Sequence, residues 1–510
     1  DAPCVEGYVC EPDAEGTDRC QKPVGATCDP TADNNDCVAG SDCFEVDSEM
    51  MAGDEQPQGQ CLVTEGGACD SEDPQCAPEL TCAEKQGGEY SCFPPVFIEG
   101  DVTDSTDGSA IEGARIIGLD EIKVAVTDVA VSDESGEYQL ELPVVRDAEG
   151  NPIDSQFTLR ADAADYQVFP SGLRTAIPIN TSQATREEGG YVISGTPTEI
   201  VLIPLPDARQ GNPSISGSVV ADEGVAGVLV VAEGDGPAFS AVTDASGNYT
   251  IFNVPSGSYE VSGYAAGIQL EPATVDVQSD PLEDVDLSVL DEELSTVSGS
   301  VSIVNAEGGL VTSVILVVES TFDPTFARGE VPPGLRDPYS GEPDVDGNWT
   351  IENVPNGDYV VLAAFENDEL VRDPDQNIGG TDFVTVTAPD GESRDISVPE
   401  TFKVTEALDV IEPGSGRPEA VTSAPTLTWE DDSSEAYYTV EVYNAYGDLV
   451  WEDQDIPSVS GPPQVTVEYG GPTEPGMYYQ FRAKSWRAPG GMNPSPISTT
   501  EDLKGVFYYE

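Results

Sequence analysis

The chain has 510 residues, with 96 acidic against 20 basic side chains, a net charge of −76 at pH 7, and no histidine. A surface of that sign repels phosphate backbones and anionic lipid, which excludes a nucleic-acid partner, and the absence of His excludes Ser-His-Asp, Cys-His and His-metal catalysis. The length suits four or five domains of about 100 residues, and 51 Gly, 41 Pro and a 38% hydrophobic share without long helical periodicity predict an all-β fold of tandem β-sandwiches rather than helices or disorder.

The first predicted element, residues 1–94, is a disulfide-rich, irregular region. Every Cys of the chain lies between Cys4 and Cys92. The spacing of Cys28, Cys37, Cys43 and Cys61 recurs as Cys69, Cys76, Cys82 and Cys92, and Cys4, Cys10 and Cys20 match the last three positions of the same unit. Pairing is predicted within units, where four Cys allow three connectivities. The missing first Cys lies upstream or belongs to another chain. This clustering places the protein in an oxidising compartment, secreted or at the cell surface. The chain reads as a mature secreted product, and no apolar run approaches the roughly 18 residues of a membrane span. The Cys-rich arm, with little core of its own, is predicted to dock on a neighbouring copy.

Three sandwiches follow, at 95–206, 214–290 and 295–413. One phrase marks them. Asp244-Ala-Ser-Gly247-Asn-Tyr249-Thr-Ile251 leads to Val254-Pro255-Ser-Gly257-Ser-Tyr259, and Asp344-Val-Asp346-Gly347-Asn348-Trp349-Thr-Ile351 leads to Val354-Pro355-Asn-Gly357-Asp-Tyr359. A weaker copy runs from Asp133 to Pro143, where an acidic insertion, Asp147 to Asp154, replaces the Pro-x-Gly turn. A Gly-containing turn followed by alternating apolar residues predicts a β-hairpin, and the repeat predicts related modules strung as a rod. A second insertion, rich in Pro and Gly, spans Ser320 to Pro343.

The strand of Gly-x-Val type, then Asp-x-x-Gly-x-Tyr and Val-Pro-x-Gly-x-Tyr, resembles the carboxypeptidase regulatory-like domain over roughly 96–400. That resemblance implies seven-stranded transthyretin-like sandwiches, accessory to a peptidase and not catalytic themselves. The last element, 420–510, carries Leu427-Thr-Trp429, Tyr438-Thr-Val440, Tyr478-Tyr479-Gln-Phe481 and Val506-Phe507-Tyr508-Tyr509. It resembles a fibronectin type III sandwich with Trp429 as core residue.

Candidate chemistry is sparse. Asp-Thr-Gly and Asp-Ser-Gly are absent, and no carboxylate pair stands out as a glycosidase couple. Asp344, Asp346 and Asn348 open like a Ca²⁺ loop, but Pro355 stands where such a loop needs Glu, so a plain turn competes with the metal reading. The acidic clusters Asp33 to Asp36 and Asp70 to Asp73 are weaker cation candidates. No cofactor is required, with Ca²⁺ as the candidate ion. Asn180, Asn248 and Asn348 fit the glycosylation acceptor pattern. No Lys occurs between Lys123 and Lys403, so module two, at 214–290, holds no Lys–Asn isopeptide bond. Tyr437, Tyr443, Tyr446, Trp451, Trp486, Tyr508 and Tyr509 could stack on sugars, about half of them being core by alternation.

These features favour a non-catalytic structural subunit of an extracellular fibre or surface layer, or an adhesive stalk. Its partners would be further copies of itself, surface glycans or other surface proteins. The alternative is a carbohydrate- or ligand-binding accessory protein.

Overall fold

The computed structural model describes residues 8–12, 18–30, 37–45, 59–71, 73–120, 123–171, 174, 176–221, 225–304, 306, 309–339, 342–364, 367–389, 391, 393–432, 434–459, 463–488 and 493–509. Cys4 and the Asp33 to Asp36 cluster lie outside them. The protein is all-β, with 3-10 turns at Thr181–Gln183, Asp207–Arg209 and Glu319–Thr321 and no α-helix among the described residues. Among the described residues no helix is long and apolar enough to cross a membrane. The chain forms two compact units. One comprises 1–100, 139–157 and 178–199, the other 101–138, 158–177 and 200–510.

In the first unit, each complete Cys repeat builds on an antiparallel pair. Ser41–Glu45 pairs Gly59–Val63, and Thr81–Glu84 pairs Tyr90–Phe93. The third and fourth Cys of a repeat sit directly opposite, as do Cys10 and Cys20 in the strands Val9–Pro12 and Asp18–Gln21. In the two complete repeats these opposed Cys do not bond to each other. The first Cys pairs the third and the second pairs the fourth, as Cys28–Cys43, Cys37–Cys61, Cys69–Cys82 and Cys76–Cys92. Within-unit pairing therefore holds for both complete repeats, and Cys20 is disulfide-bonded too.

The last Cys repeat is tied to its own chain. Arg146 donates its N–H to Glu84 and accepts from the N–H of Gln86, and its guanidinium reaches Pro94 O at 2.7 Å. The acidic insertion after Pro143 is thus the seat of the last Cys repeat. Gly150 at φ +89° lets Phe93 close on it, since a Cβ there would lie 2.5 Å from the ring.

The second unit holds the remainder of the first sandwich and the other three. In the second sandwich Ile215–Val220 pairs antiparallel with Asn248–Ile251 and parallel with Leu287–Ser288. Leu229–Glu233 and Gly257–Ala265 form the facing sheet with Phe239–Val242 and Ala273–Val277. The third sandwich repeats this register, Gly217 opposite Tyr249 becoming Gly299 opposite Trp349. Gly is needed at 299, because a Cβ would meet Trp349 at 2.5 Å. In the hairpin turn Asp244 Oδ1 accepts the N–H groups of Ser246 and Asn248. The turn carbonyls of Gly136, Gly247 and Gly347 take the N–H of Val102, Val219 and Val301, each at 2.8 Å. The returning tyrosines also match, Tyr259 and Tyr359 bonding the carbonyls of Pro255 and Pro355.

The last sandwich stacks a three-stranded sheet around Thr426–Glu430 on a larger one built from Tyr437–Asn444, Leu449–Pro457, Tyr478–Arg487 and Val506–Tyr509. Trp429 and Phe481 are fully buried between them.

Candidate functional site

The residues with most to do lie at the joints between modules, and the hairpin tip of each sandwich forms the joint. Asn253 and Asn353 occupy the same place in the repeated phrase, both left-handed at φ 62° and 58°. Asn253 Oδ1 accepts the N–H of Asp165 at 2.6 Å, and its Nδ2 donates to Ala163 O and Tyr166 O, so the second sandwich grips the first. At the next joint Asn353 O accepts from Gly267 N, and Asn356 N donates to Gln269 Oε1 at 2.7 Å. Leu229, Val231 and Tyr264 of the second sandwich belong to the same apolar core as Trp349, Tyr359 and Phe402 of the third. In the first sandwich the corresponding tip is the insertion that holds the Cys region through Arg146.

The insertion Ser320 to Pro343 is a hub. Its Glu330 lies 3.8 Å from Arg160 of the first sandwich and accepts from Ser240 of the second. Pro333 O accepts from Ala266 N. Phe326 stacks edge-on against Tyr443 of the last sandwich, with centroids 5.0 Å apart. Burial draws the Arg328 guanidinium down to about 10, against the pull of the Asp502 carboxylate beside it. The last sandwich also returns to the first. Gln167 Nε2 donates to Ala445 O at 2.7 Å, Tyr446 bonds Pro204 O, and Arg174 lies between the rings of Phe169 and Tyr478, 4.8 and 5.0 Å from their centroids. Contacts therefore run first to second to third to last and back to first. Modules strung in a row would lack the final link.

The other predicted residues are dispersed. Asp344, Asp346 and Asn348 are all exposed, and the groups of three or more Cys or carboxylate ligands gathered closely enough for an ion among the described residues are disulfide cysteines. Asn180 is half-buried and caps a 3-10 turn, while Asn248 and Asn348 are exposed. Of the seven aromatics, Tyr443 and Tyr509 are buried and the other five half-buried. Tyr437 and Trp486 lie parallel at 4°, with centroids 5.9 Å apart.

Two groups of carboxylates escaped the sequence reading. Asp373 and Asp375 are buried, each capping its own loop, and their Asp-x-Asp-x-Asn spacing to Asn377 was visible in the sequence. Burial raises Asp373, with Asp375 adding to the shift. The Glu369 N–H donates to Glu501 Oε1 across the joint of the third and last sandwiches, a pairing of residues 132 apart with no local signal. A cleft of about 540 Å³ between the second and third sandwiches is lined by Glu233, Glu260, Glu292, Glu319 and Asp358.

No curated protein matches the chain. Among solved structures, the Bacillus anthracis TIE protein is 12% identical, covering 78% of this chain and 68% of its own at a TM-score of 0.14. A Streptococcal ancillary pilin is 12% identical over 61% of this chain and 99% of its own, TM-score 0.16. The major pilin subunit of Bacillus cereus is 10% identical over 60% and 99%, TM-score 0.16. The family whose model matches is the carboxypeptidase regulatory-like domain, over residues 214–290, so the second sandwich of this all-β protein is similar to that domain.

Proposed function

We propose that the protein is a secreted, non-catalytic structural element, a self-assembling subunit of an extracellular fibre or surface layer or an adhesive stalk. Its parts are a Cys-rich region at 1–94, regulatory-like sandwiches at 95–206, 214–290 and 295–413, and a fibronectin type III-like end at 420–510. The observation that carries this reading is the repeated use of one hairpin tip to hold the preceding module, seen at Arg146, Asn253 and Asn356. The same position of successive modules is thereby committed to a joint, through backbone groups at Arg146, Asn353 and Asn356 and through the side chain at Asn253. Negative-stain microscopy and sedimentation of the purified protein, with and without chelator, test it. Ordered polymers or layers support the proposal, and a monodisperse monomer in every buffer up to high salt with Ca²⁺ removes it.

A second reading, binding of surface glycans, is favoured by the parallel Tyr437–Trp486 pair, since flat half-exposed rings offer a face to a sugar ring. Quenching of Trp fluorescence by polysaccharides, lost in Trp486→Ala, would support it. No change with any sugar tested would remove it.

A further inference from the structure

We propose that Asn356–Gly357 is a hydrolytic modification site, a one-way lock on the joint between the second and third sandwiches, guarded while the joint is closed and spent once it converts. It is the single Asn-Gly pair in the chain. Such a pair is prone to cyclise, because Gly has no Cβ to keep its backbone nitrogen away from the side-chain amide carbon before it. The joint itself demands that Gly. A Cβ at 357 would lie 2.9 Å from the buried Tyr264 ring of the second sandwich. The matching tip of the second sandwich, Ser256-Gly257, keeps the Gly but has no amide to lose.

The Asn356 amide is held at both ends. Arg394 Nη1 donates to its Oδ1, its Nδ2 donates to Glu292 Oε2 at 3.1 Å, and Arg394 Nη2 lies 3.7 Å from the same carboxylate oxygen. The backbone N–H of Asn356 reaches Gln269 Oε1 of the second sandwich at 2.7 Å. Glu292 belongs to the connector and Arg394 to the third sandwich, so the clasp is complete only while the second sandwich is seated. Asn356 and Gly357 are half-buried, and Gly357 opens the strand Gly357–Ala363. Water and a fraying strand end are therefore at hand once the amide is released.

The step consumes only water. The Gly357 nitrogen attacks Asn356 Cγ, its electron pair forming the new C–N bond while the carbonyl pair moves onto Oδ1. When that pair returns, the Cγ–Nδ2 bond breaks, and Nδ2 keeps its electrons, takes the proton given up by Gly357 and leaves as ammonia. Water then opens the cyclic imide at either carbonyl, its oxygen joining the carbon and a proton passing to the released nitrogen. What remains is an aspartate joined to Gly357 through its α- or its β-carboxyl carbon. Either product puts a carboxylate where Nδ2 met Glu292, and the second also lengthens the backbone by a methylene beside the wedged Gly357. The cleft at this joint is lined by Glu233, Glu260, Glu292, Glu319 and Asp358 and, among the described residues, by no basic side chain, so a further negative charge opposes closure.

The test ages the intact protein in mildly alkaline buffer and maps its peptides, reading isoaspartate and ammonia release. Conversion should occur at Asn356 and run about threefold to tenfold faster in Arg394→Ala, the change expected from losing one half-exposed charge-assisted hydrogen bond. Glu292→Ala removes the grip on Nδ2 and should accelerate it likewise, so a folding defect in one variant does not decide the outcome. In the converted protein the Gly267 N–H, which donates to Asn353 O across the joint, should exchange with deuterium faster, while in Asn356→Ser aged alongside it should not change with time. An amide at 356 that survives in both variants after a free peptide of residues 350–362 has lost it overturns the proposal. So does a rate equal to the parent's in both variants, or unchanged Gly267 exchange after conversion.

Discussion

The side chain of Asn253 replaces a missing turn of backbone for Asp165. It accepts the Asp165 N–H at 2.6 Å while giving its own amide hydrogens to the carbonyls of Ala163 and Tyr166, bracing a loop in which the Tyr166 N–H also reaches Ala163 O. Asp165 is itself left-handed at φ 70°. Two residues in a sparsely populated conformation thus hold each other across a module boundary.

Asn253→Ala should cost about 2 to 4 kcal/mol, adding the lost hydrogen bonds and orphaned groups to the penalty of placing Ala at positive φ. Asn353→Ala, at the same place in the repeat but with no bridging side-chain bond among the described residues, should cost about 1 to 2 kcal/mol. Denaturant midpoints of the two variants decide this. Equal losses would show that the side chain of Asn253 contributes nothing to the joint.

Gly150→Ala should loosen the Cys region from its seat. The new methyl would lie 2.5 Å from the Phe93 ring at a φ of +89°, a clash and an unfavourable backbone together worth about 2 kcal/mol or more. The expected readout is faster limited proteolysis between residues 85 and 93 with unchanged digestion of the last sandwich. Unaltered digestion of both would mean that Phe93 turns aside without cost.

Mass spectrometry after non-reducing digestion should recover Cys28–Cys43, Cys37–Cys61, Cys69–Cys82 and Cys76–Cys92 as separate linkages. Each closes a short loop and should contribute about 3 kcal/mol through the unfolded chain. A linkage from one repeat to the other would contradict the modular arrangement.

Self-association of a chain with net charge −76 brings like-charged surfaces together, so assembly should weaken in low salt with chelator and recover with high salt or Ca²⁺. Sedimentation velocity in the two buffers checks it. The same oligomer in both would show that contact energy alone outweighs repulsion. Asp344→Asn with Asp346→Asn asks whether Ca²⁺ acts through the exposed turn of the third sandwich or through diffuse screening.

Short-range pattern made the modules legible. The Asp-x-x-Gly turns, the alternation around Tyr249 and Trp349, the core position of Trp429 and the unit-wise Cys spacing are all written within stretches of a few tens of residues, and the fold follows them. What could not be read was the use of the exceptions. The acidic insertion after Pro143 looked like a lost turn and is the seat of the Cys region. The insertion from Ser320 to Pro343 looked like a loop and reaches all three other sandwiches. Glu369 and Glu501 each look like one acid among 96, and only the folded chain brings them together.

The return contact from Gln167 to Ala445 spans 278 residues, and its consequence is one of timing. As the chain emerges from its N-terminus, the first sandwich must wait with Ile203 and the ring-flanked Arg174 uncovered until the last one has been delivered. Nearest-neighbour joints can form in sequence, but this one carries a large loop-closure entropy and can only come last. For that interval the protein is a chain of completed modules with an unsealed seam. A stalled or truncated nascent chain would present that seam to proteases and to its neighbours.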